Sequence, residues 1–411
     1  MYSKTRFQSA LDDVCYPLTL APCQYFASQR QNKLYFLLST QNKLTDAVFA
    51  HKTKKSHSIE GALNRNMNLK QLSEVLGLSQ TTVSRALNGY PEVSEDTRAR
   101  VQAAARKHGY RPNSRAKGLA TGRSMVIGHV IPSSSQHEMV NPIFGDFVAG
   151  AAKKYAEHGY DMMFTNADDT SIEEAYRSLF QRGAVDGVVL QGPKVNEPRI
   201  EVLTRMGVPF IVHGRSTGVD AQYDWIDVNN KSSFMRATRF LIDLGHRRIA
   251  LINGLEDMDF AQRRRDGYLE ALSQAGLAPD ADLMRSAEMT EVYGHHETQN
   301  MLRLESPPTA ILCSSMISAI GVRRALSENG LEMGTDVSVI AHDDDLSYLK
   351  NGQDVPIFTA TRSSVRQAGE MAADMLIQRI KSPNDPVKTR LLEAELVVGR
   401  STGPAPNRVQ L

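Results

Sequence analysis

The sequence predicts a small all-α helix-turn-helix unit, followed by a larger α/β domain built on doubly wound parallel sheets. Three observations predict this: an uneven charge distribution, short amphipathic helices after residue 67, and buried strands that alternate with helices beyond Met125. Because alternating strands and helices form right-handed βαβ units, we expect a ligand site beyond the carboxyl ends of the strands.

Charge is distributed unevenly along the 411 residues, although the net formal charge is only +2. Residues 1–66 carry 9 basic and 4 acidic side chains and residues 67–123 carry 10 and 4, whereas the remaining 288 residues carry 29 and 38. A basic module joined to an acidic one suggests a nucleic-acid-binding part attached to a part with another task.

The sequence carries no signal for membrane insertion, secretion or a disulfide framework. No apolar run approaches the roughly 18 residues of a membrane span. Three cysteines are too few to staple a chain of this length, and no signal-peptide pattern is present at the N-terminus. We therefore expect a cytoplasmic protein with no membrane partner.

Residues 1–66 are expected to be an extension with little or no fold, because their apolar residues follow no sustained helical or strand period. A translation start at Met67 is the preferred interpretation. The alternative is a functional arm in which Lys52, Lys54 and Lys55 add phosphate contacts.

A helix-turn-helix is predicted for residues 67–112. Leucines at helical spacing precede Gly77, and Ser79 then caps a second helix that continues to about residue 88. A third helix, capped by Ser94, braces the pair. On pattern alone, a small helical bundle with a polar surface is the alternative.

The second helix is the candidate for base recognition, because the N-terminal residues of such a helix meet base edges in the major groove. Gln80, Thr81 and, one turn further on, Arg85 occupy those positions. Gln pairs with adenine and Arg with guanine in bidentate fashion, so these residue types suit direct readout of a DNA sequence.

The segment Thr82–Asn88 begins a long and specific motif. Its further members are Val93, Ser94, Thr97, Arg98, Val101, Gly109, Tyr110, Arg111, Pro112 and Asn113. The motif resembles the DNA-binding domain of the lactose-repressor/galactose-repressor family. The resemblance implies double-stranded operator DNA as a partner, and it adds to the candidate DNA-binding residues Thr82, Ser84, Asn88 and Asn113.

Residues 113–123 resemble the hinge helix of this family, which forms on operator DNA and inserts a leucine from each subunit into the minor groove. The matching residue is Leu119. Such a leucine is an apolar wedge that unstacks a base step and bends the duplex. An ordinary core leucine is the alternative, and the basic and small neighbours of Leu119 weaken it.

From Met125 onward, short apolar runs alternate with amphipathic stretches. The runs predict buried strands at Met125–Ile131, Asp161–Thr165, Gly187–Leu190, Phe210–His213, Ile249–Asn253, Ala310–Cys313 and Val337–His342. The helices predicted between them include Ile143–His158, Ser171–Arg182, Ser232–Leu244, Arg263–Ala275 and Ile317–Asn329.

Residues 124–400 resemble the family's effector-binding and dimerisation domain. That domain has two lobes linked by three crossovers, like a periplasmic sugar-binding protein, and holds the effector in the cleft. The alternation of strands and helices in this sequence predicts a first lobe at about 124–228 and 357–386 and a second lobe at about 229–356 and 387–400. A tail is expected at 401–411.

Candidate effector-binding residues follow the strands of the first lobe. Phe144 matches a segment in which an aromatic side chain lines the family's cleft, and it is the candidate for stacking on a sugar ring. His213 and Arg215, at the end of the fourth strand, carry donors that could reach sugar hydroxyls. A solvated loop is an equal alternative there.

The second lobe supplies two charged candidates. Arg264 matches the arginine that clamps the family's ligand, and its planar fork suits paired hydroxyls or a carboxylate. Its neighbours Arg263 and Arg265 are expected to face solvent. Asp343 follows the seventh strand as in the family's Asp-Asp pair, so it would accept hydrogen bonds from a sugar.

The chain departs from the family's pattern around Ser315, the last candidate effector contact. Many relatives carry Asn-Asp there, whereas Met316 occupies the usual carboxylate position in this sequence. A less polar contact would suit a disaccharide or a glycoside, such as a glucoside, better than a small monosaccharide. The effector therefore stays open between mono- and disaccharides.

Motifs typical of enzymes fail their context tests. Gly-x-Ser-x-Gly occurs around Ser216 and Ser401, but neither lies on a predicted strand-to-helix turn. Asp343–Asp345 and His295–Glu297 lack metal-ligand spacing, and no phosphate-binding loop is present. We expect no catalytic residue, metal or cofactor.

The resemblance implies a sequence-specific transcription regulator, in the commonest mode a repressor that a sugar releases from a pseudo-palindromic operator of a carbohydrate operon. Corepression and activation stay open. The resemblance implies at least a homodimer, and no leucine-heptad tail follows Val398, which favours dimers over tetramers. The alternative is a sugar-binding protein or sugar-modifying enzyme with an accessory nucleic-acid-binding segment.

Overall fold

The structure is a computed structural model that describes residues 67–110, 122–132 and 140–406. The chain divides into two compact units, with the boundary between Pro112 and Asn113. The extension 1–66 and the predicted hinge residues Asn113 and Leu119 lie outside the described residues, so their assigned roles stay predictions.

The first unit contains the helices α1 (Leu69–Leu76), α2 (Gln80–Leu87) and α3 (Glu95–Lys107). Gly77 follows α1 at φ 66°, a left-handed conformation that favours glycine and turns the chain toward α2. Leu72, Val83 and Val101, one from each helix, are fully buried and join the three helices into one core. The predicted helix-turn-helix is confirmed.

The described residues of the second unit form two six-stranded sheets. The first has the order β11-β5-β4-β3-β1-β2, with strands β1 (Val126–Pro132), β2 (Asp161–Ala167), β3 (Gly187–Gln191), β4 (Phe210–His213), β5 (Trp225–Val228) and β11 (Thr389–Leu392). All of the pairs in this sheet are parallel.

The second sheet has the order β12-β10-β9-β8-β6-β7. Its strands are β6 (Ile249–Asn253), β7 (Met284–Ser286), β8 (Ala310–Cys313), β9 (Ser338–Asp343), β10 (Thr359–Arg362) and β12 (Glu395–Val397). Its pairs are parallel except for the antiparallel pair of β10 with β12 at the edge. The doubly wound parallel sheets predicted from the strand and helix alternation are confirmed.

Helices cover both sheets, as a parallel sheet requires. Those of the second unit are α4 (Pro142–Glu157), α5 (Ile172–Gln181), α6 (Pro198–Met206), α7 (Asn230–Asp243), α8 (Asp259–Gln274), α9 (Glu291–Leu302), α10 (Met316–Glu328) and α11 (Val365–Lys381). Helices α4 and α11 pack on the first sheet through Phe147, Tyr155 and Leu376. No helix among the described residues is long and apolar enough to span a membrane.

The chain passes between the lobes after β5, after β10 and after β11. The predicted lobe limits at 357 and 387 are therefore wrong by about five residues each. Strand β10 still belongs to the second sheet, so the return to the first lobe comes after Arg362, and β11 keeps the chain in the first lobe until Leu392.

Candidate functional site

The exposed face of α2 is the candidate surface for DNA contact. Val83 and Ala86 are buried against the core of the first unit, which leaves Gln80, Thr81 and Arg85 exposed on the opposite side of the helix. Arg85 makes no hydrogen bond to another residue of the described chain, so its guanidinium is available to a base edge.

The other predicted DNA-binding residues of α2 take part in capping its two ends. Ser79 accepts a hydrogen bond from the backbone N–H of Thr82 at 3.0 Å, and the two hydroxyls lie 2.8 Å apart. Asn88 is exposed and donates through Nδ2 to the backbone oxygen of Ser84 at 2.9 Å. These bonds fix the ends of the helix that would enter the groove.

Replacement of Arg85 by alanine should cost about 1–3 kcal/mol of operator binding and relax the base preference at one position. The measurement is a binding titration with operator and with random DNA. Arg100→Ala is the matched control, because Arg100 is exposed on α3 and lies off the recognition helix. If Arg85→Ala discriminates between operator and random DNA as well as the wild type does, the assignment of α2 to the major groove is refuted.

The second unit holds a cavity of about 180 Å³ between its two lobes, which we call the main cavity. It lies at the carboxyl ends of β3, β4 and β9, where an α/β sheet binds its ligand. The structure brings together there four of the six predicted effector-binding residues, namely Phe144, His213, Arg215 and Arg264.

Arg264 is buried in the wall of the main cavity, and two of its three guanidinium nitrogens donate hydrogen bonds. Its Nε donates to Asn230 Oδ1 at 2.7 Å and its Nη1 to the backbone oxygen of Ser314 at 2.6 Å. Its guanidinium carbon lies 5.1 Å and 4.9 Å from the ring centres of Phe234 and Phe260. Nη2 makes no hydrogen bond within the described residues, and it is free to donate to a ligand.

A series of polar contacts holds the guanidinium of Arg264 in place. Arg215 Nε donates to Asp227 Oδ2 at 2.8 Å, and Asn230 Nδ2 reaches Asp227 Oδ1 at 3.4 Å. Burial raises the pKa of Asp227, against the opposing effect of Arg215. Burial also lowers the pKa of Arg264 to about 10, so this guanidinium stays charged at neutral pH.

Opposite charges make the cavity wall suitable for hydroxyl groups. Burial alone would raise the pKa of Asp344, but His342, Arg264 and His213 hold it below its usual value. His213 stacks on Phe147 with ring centres 4.3 Å apart, and burial lowers its pKa to about 4. The wall therefore offers a carboxylate acceptor, a cationic donor and a neutral imidazole.

Two predicted effector contacts lie outside the lining of the main cavity, and both predictions need correction. Side chains alternate in direction along β9, so His342 and Asp344 line the cavity. Asp343, between them, instead accepts from the backbone N–H of Asp345 at 2.9 Å. Asp344, and not Asp343, therefore lines the main cavity.

The second corrected prediction is the effector contact of Ser315. Its hydroxyl caps α10 by accepting from the backbone N–H of Ile317 at 3.0 Å and of Ser318 at 3.4 Å, and the residue is buried. Met316 belongs to the hydrophobic core of the second lobe and is absent from the cavity lining, so it is no guide to the polarity of the ligand.

The two lobes also meet beside the cavity, through contacts of 193–195 with 257–259 that we call the clasp. Val195 N–H donates to Asp257 O at 3.0 Å and Asp259 N–H to Pro193 O at 3.1 Å, as in a short antiparallel ladder. The buried carboxylate of Asp259 accepts from the backbone N–H of Thr217 in the first lobe at 2.6 Å.

Arg263 contacts both the clasp and the first lobe, which corrects the expectation that it faces solvent. It pairs with Asp259 and donates through Nη2 to the hydroxyl of Thr217 at 2.9 Å. Arg265 is partly exposed and pairs with Glu256 at 2.6 Å. The clasp thus joins both lobes through side chains and backbone.

Sequence reasoning missed Asp227, Asn230 and His342 as cavity residues. Asp227 and Asn230 lie at the end of β5, a four-residue strand that the pattern did not indicate. Had β5 been predicted, the rule that ligands bind beyond strand ends would have indicated both residues. His342 was assigned to the strand itself, and its direction depends on a register that one sequence does not reveal.

Buried histidines should make the stability of the second unit pH-dependent. Burial lowers the pKa of His129 to about 4, whereas an unfolded histidine titrates near pH 6.5. The unfolded state therefore binds more protons between these values, and stability falls as the pH decreases through that window. The substitution His129→Leu should therefore reduce the loss of unfolding free energy between pH 6.5 and pH 5 by about 2 kcal/mol.

Chemical denaturation at a series of pH values measures this effect. His296→Leu is the control, because its side chain is largely exposed and hydrated in both states. The same pH dependence in the His129 variant as in the control would contradict the account of a buried, neutral imidazole.

A helix-turn-helix unit joined to a two-lobed domain with an interlobe cavity defines a DNA-binding transcription regulator. A family model described as bacterial regulatory proteins, lacI family, matches residues 69–113. A model described as periplasmic binding protein-like domain matches residues 238–402.

The chain is 47% identical over 346 residues to the HTH-type transcriptional regulator AglR of Rhizobium meliloti (strain 1021), covering 84% of this chain and 97% of that protein. It is 34% identical to the HTH-type transcriptional regulator RafR of Escherichia coli, covering 76% and 92%. The protein belongs to the lacI family of bacterial regulatory proteins.

Solved structures agree with this assignment. A structure of the Lac repressor dimer bound to operator and the anti-inducer ONPF matches with a TM-score of 0.70 at 26% identity, over 82% of this chain and all of that chain. A transcriptional regulator CelR–cellobiose complex matches with a TM-score of 0.60 at 28% identity, over 81% and 99%.

Proposed function

We propose that this regulator is a dimeric, cytoplasmic repressor of a carbohydrate uptake or catabolism operon, and that a sugar releases it from a pseudo-palindromic operator. The observation that carries the proposal is the main cavity, where the free Nη2 of Arg264, the carboxylate of Asp344 and the ring of Phe144 line one space. Donors, acceptors and an aromatic face suit a polyhydroxylated ring.

The cavity lies between lobes, so a ligand that touches both of them biases their closure. Phe144 and His213 belong to the first lobe, and Arg264 and Asp344 belong to the second. A ligand that bridges them stabilises one closure state, and in that state the hinge segments with Leu119 no longer fit the operator. This is a coupling between two sites through one bistable element.

Two similar proteins support the choice of sugar as effector. The matched CelR structure is a complex with cellobiose, and the matched Lac repressor structure holds the anti-inducer ONPF. The test is a thermal-shift screen against mono- and disaccharides, because a ligand that binds only the folded state raises the unfolding midpoint. A hit must then weaken operator binding, and failure of every sugar to do so would contradict the proposal.

An enzyme that modifies a sugar is the second candidate, and the environments of the two motif serines count against it. Ser216 donates to Lys194 O at 2.7 Å and accepts from the backbone N–H of Glu197 at 3.0 Å. Ser401 is fully buried and accepts from Thr359 N–H at 2.8 Å. Both hydroxyls are engaged by backbone groups, and recovery of a bound sugar unchanged after long incubation would exclude turnover.

A protein that begins at Met67 should bind operator as tightly as the full chain, with the same dependence on salt. Met67 packs against the core of the first unit, and the core residues that the structure describes there all lie between Met67 and Tyr110. If Lys52, Lys54 and Lys55 form a phosphate-binding arm, their removal lowers the slope of log K against log salt by nearly one per lost contact. That result would overturn the preference for a start at Met67.

A further inference from the structure

A second cavity of about 180 Å³ lies mainly within the first lobe, with Met258 of the second lobe in its wall, and we call it the side cavity. It opens at the carboxyl ends of β1 and β3 and reaches the beginnings of α5 and α6. Its wall is formed by Ile131, Ile172, Val189, Pro198 and Arg199, among others, and by His129.

The side cavity adjoins the main cavity. Phe144, Gln191, Gly192 and Met258 belong to the walls of both. Small-molecule sites typically measure about 300–1,000 Å³, a range that neither cavity reaches alone and that the two together reach. The two cavities therefore have the dimensions of one site with two compartments.

Buried polar atoms at the side cavity lack partners. The amide nitrogen of Gln191, at the junction, is buried and donates to no acceptor in the described parts of the chain. Both ring nitrogens of His129, a residue only 2% exposed, are also unpartnered there. Buried polar groups in native proteins are nearly always hydrogen-bonded, so these three atoms on residues of the cavity wall have unused capacity to bond a polar ligand.

We propose that the side cavity binds the second ring of a disaccharide effector, with the first ring in the main cavity. This inference rests on the proposed function, because it assigns the size and class of the sugar that acts there. Gln191 at the junction donates to an oxygen near the glycosidic bond, and His129 meets hydroxyls of the second ring.

The wall chemistry favours a sugar ring over a charged or purely apolar group. The carboxylate and guanidinium of Glu197 and Arg199 already neutralise each other at 2.7 Å. Ile172 and Pro198 offer apolar faces to the C–H side of a ring. His129 stays neutral at pH 7, since burial lowers its pKa to about 4, and so offers one donor and one acceptor.

The clasp places Met258 over the junction of the two cavities. Met258 forms the antiparallel bridge with Lys194 at the centre of the clasp, and Met258 also lines both cavities. A disaccharide across the junction would therefore contact the clasp as well as both lobes, whereas a monosaccharide in the main cavity would leave the side cavity unfilled.

The test is calorimetric binding of glucose, galactose, maltose, cellobiose, melibiose, sucrose and phenyl glucoside to the full-length protein. The best disaccharide should bind at least about tenfold tighter than its component monosaccharides. Ile172→Trp, which fills the side cavity, should remove this advantage and leave monosaccharide affinity unchanged, and Ile172→Val is the matched control. His129→Leu should lower the advantage without filling the space.

The outcomes separate this inference from the proposed function. Equal affinities for mono- and disaccharides, or an advantage that survives both Ile172→Trp and His129→Leu, would overturn the two-ring site and leave a sugar-responsive repressor intact. Phenyl glucoside as tight as the best disaccharide would assign the side cavity to an apolar group instead. Failure of every sugar to bind would overturn both the inference and the proposed function.

Discussion

Arg264→Ala should lower sugar affinity by at least about 100-fold and abolish the response to the sugar, with operator binding of the ligand-free protein nearly unchanged. A hydrogen bond to a charged group contributes about 1.5–3 kcal/mol, and a factor of 100 corresponds to about 2.7 kcal/mol. The free Nη2 of Arg264 and its charge are lost together in this variant. The helix-turn-helix lies in the other unit and keeps its own core.

Two further variants make this result specific. Arg264→Lys retains the charge but loses the planar fork that bonds Asn230 and Ser314, so its sugar affinity should also fall. Arg265→Ala is the matched control, because Arg265 lies one position further along α8 and is absent from the walls of both cavities. A normal sugar response in Arg264→Ala would show that the main cavity is not the effector site.

Asp259→Ala should lower sugar affinity by about tenfold or more, although its side chain is absent from the walls of both cavities. Removing one partner of a buried ion pair costs about 3–5 kcal/mol. The clasp loses its buried carboxylate, so the closed arrangement of the lobes becomes less populated. The apparent dissociation constant rises by the factor by which the competent state is depleted.

Asp257→Ala is the matched control for the clasp. Asp257 is half exposed and pairs with the exposed Lys194, and such surface pairs contribute about 0–1 kcal/mol. Sugar titrations of both variants, with thermal melts to confirm folding, provide the comparison. Equal and small effects of the two substitutions would mean that the clasp does not govern closure.

The sequence was most informative where a pattern is local. The three helices of the first unit follow from apolar spacing and from caps such as Ser79 and Ser94, which the structure places at helix starts. Six of the seven predicted strands are central in their sheets, where buried runs of Val, Ile and Leu leave a strong signal. These elements lie within about two residues of the predicted bounds.

Features that depend on tertiary context were not predictable. The strands β7, β11 and β12 are three or four residues long and lie at sheet edges, where half-exposed residues show no periodic signal. The choice between Asp343 and Asp344 depends on strand direction, and Ser315 has the residue type of both a ligand contact and a helix cap. The clasp joins segments that are about 60 residues apart in sequence.

We expect the binding of sugar in the interlobe cavity and the binding of operator at the helix-turn-helix to be coupled. The most direct measurement is an operator titration with and without saturating sugar, paired with a sugar titration with and without operator, for the wild type, Arg264→Ala and Leu119→Ala. We predict that sugar weakens operator binding and that operator weakens sugar binding by the same factor. Leu119→Ala should weaken operator binding and leave the sugar affinity of the free protein unchanged. Operator affinity that does not change when the cavity is saturated with sugar would contradict the account.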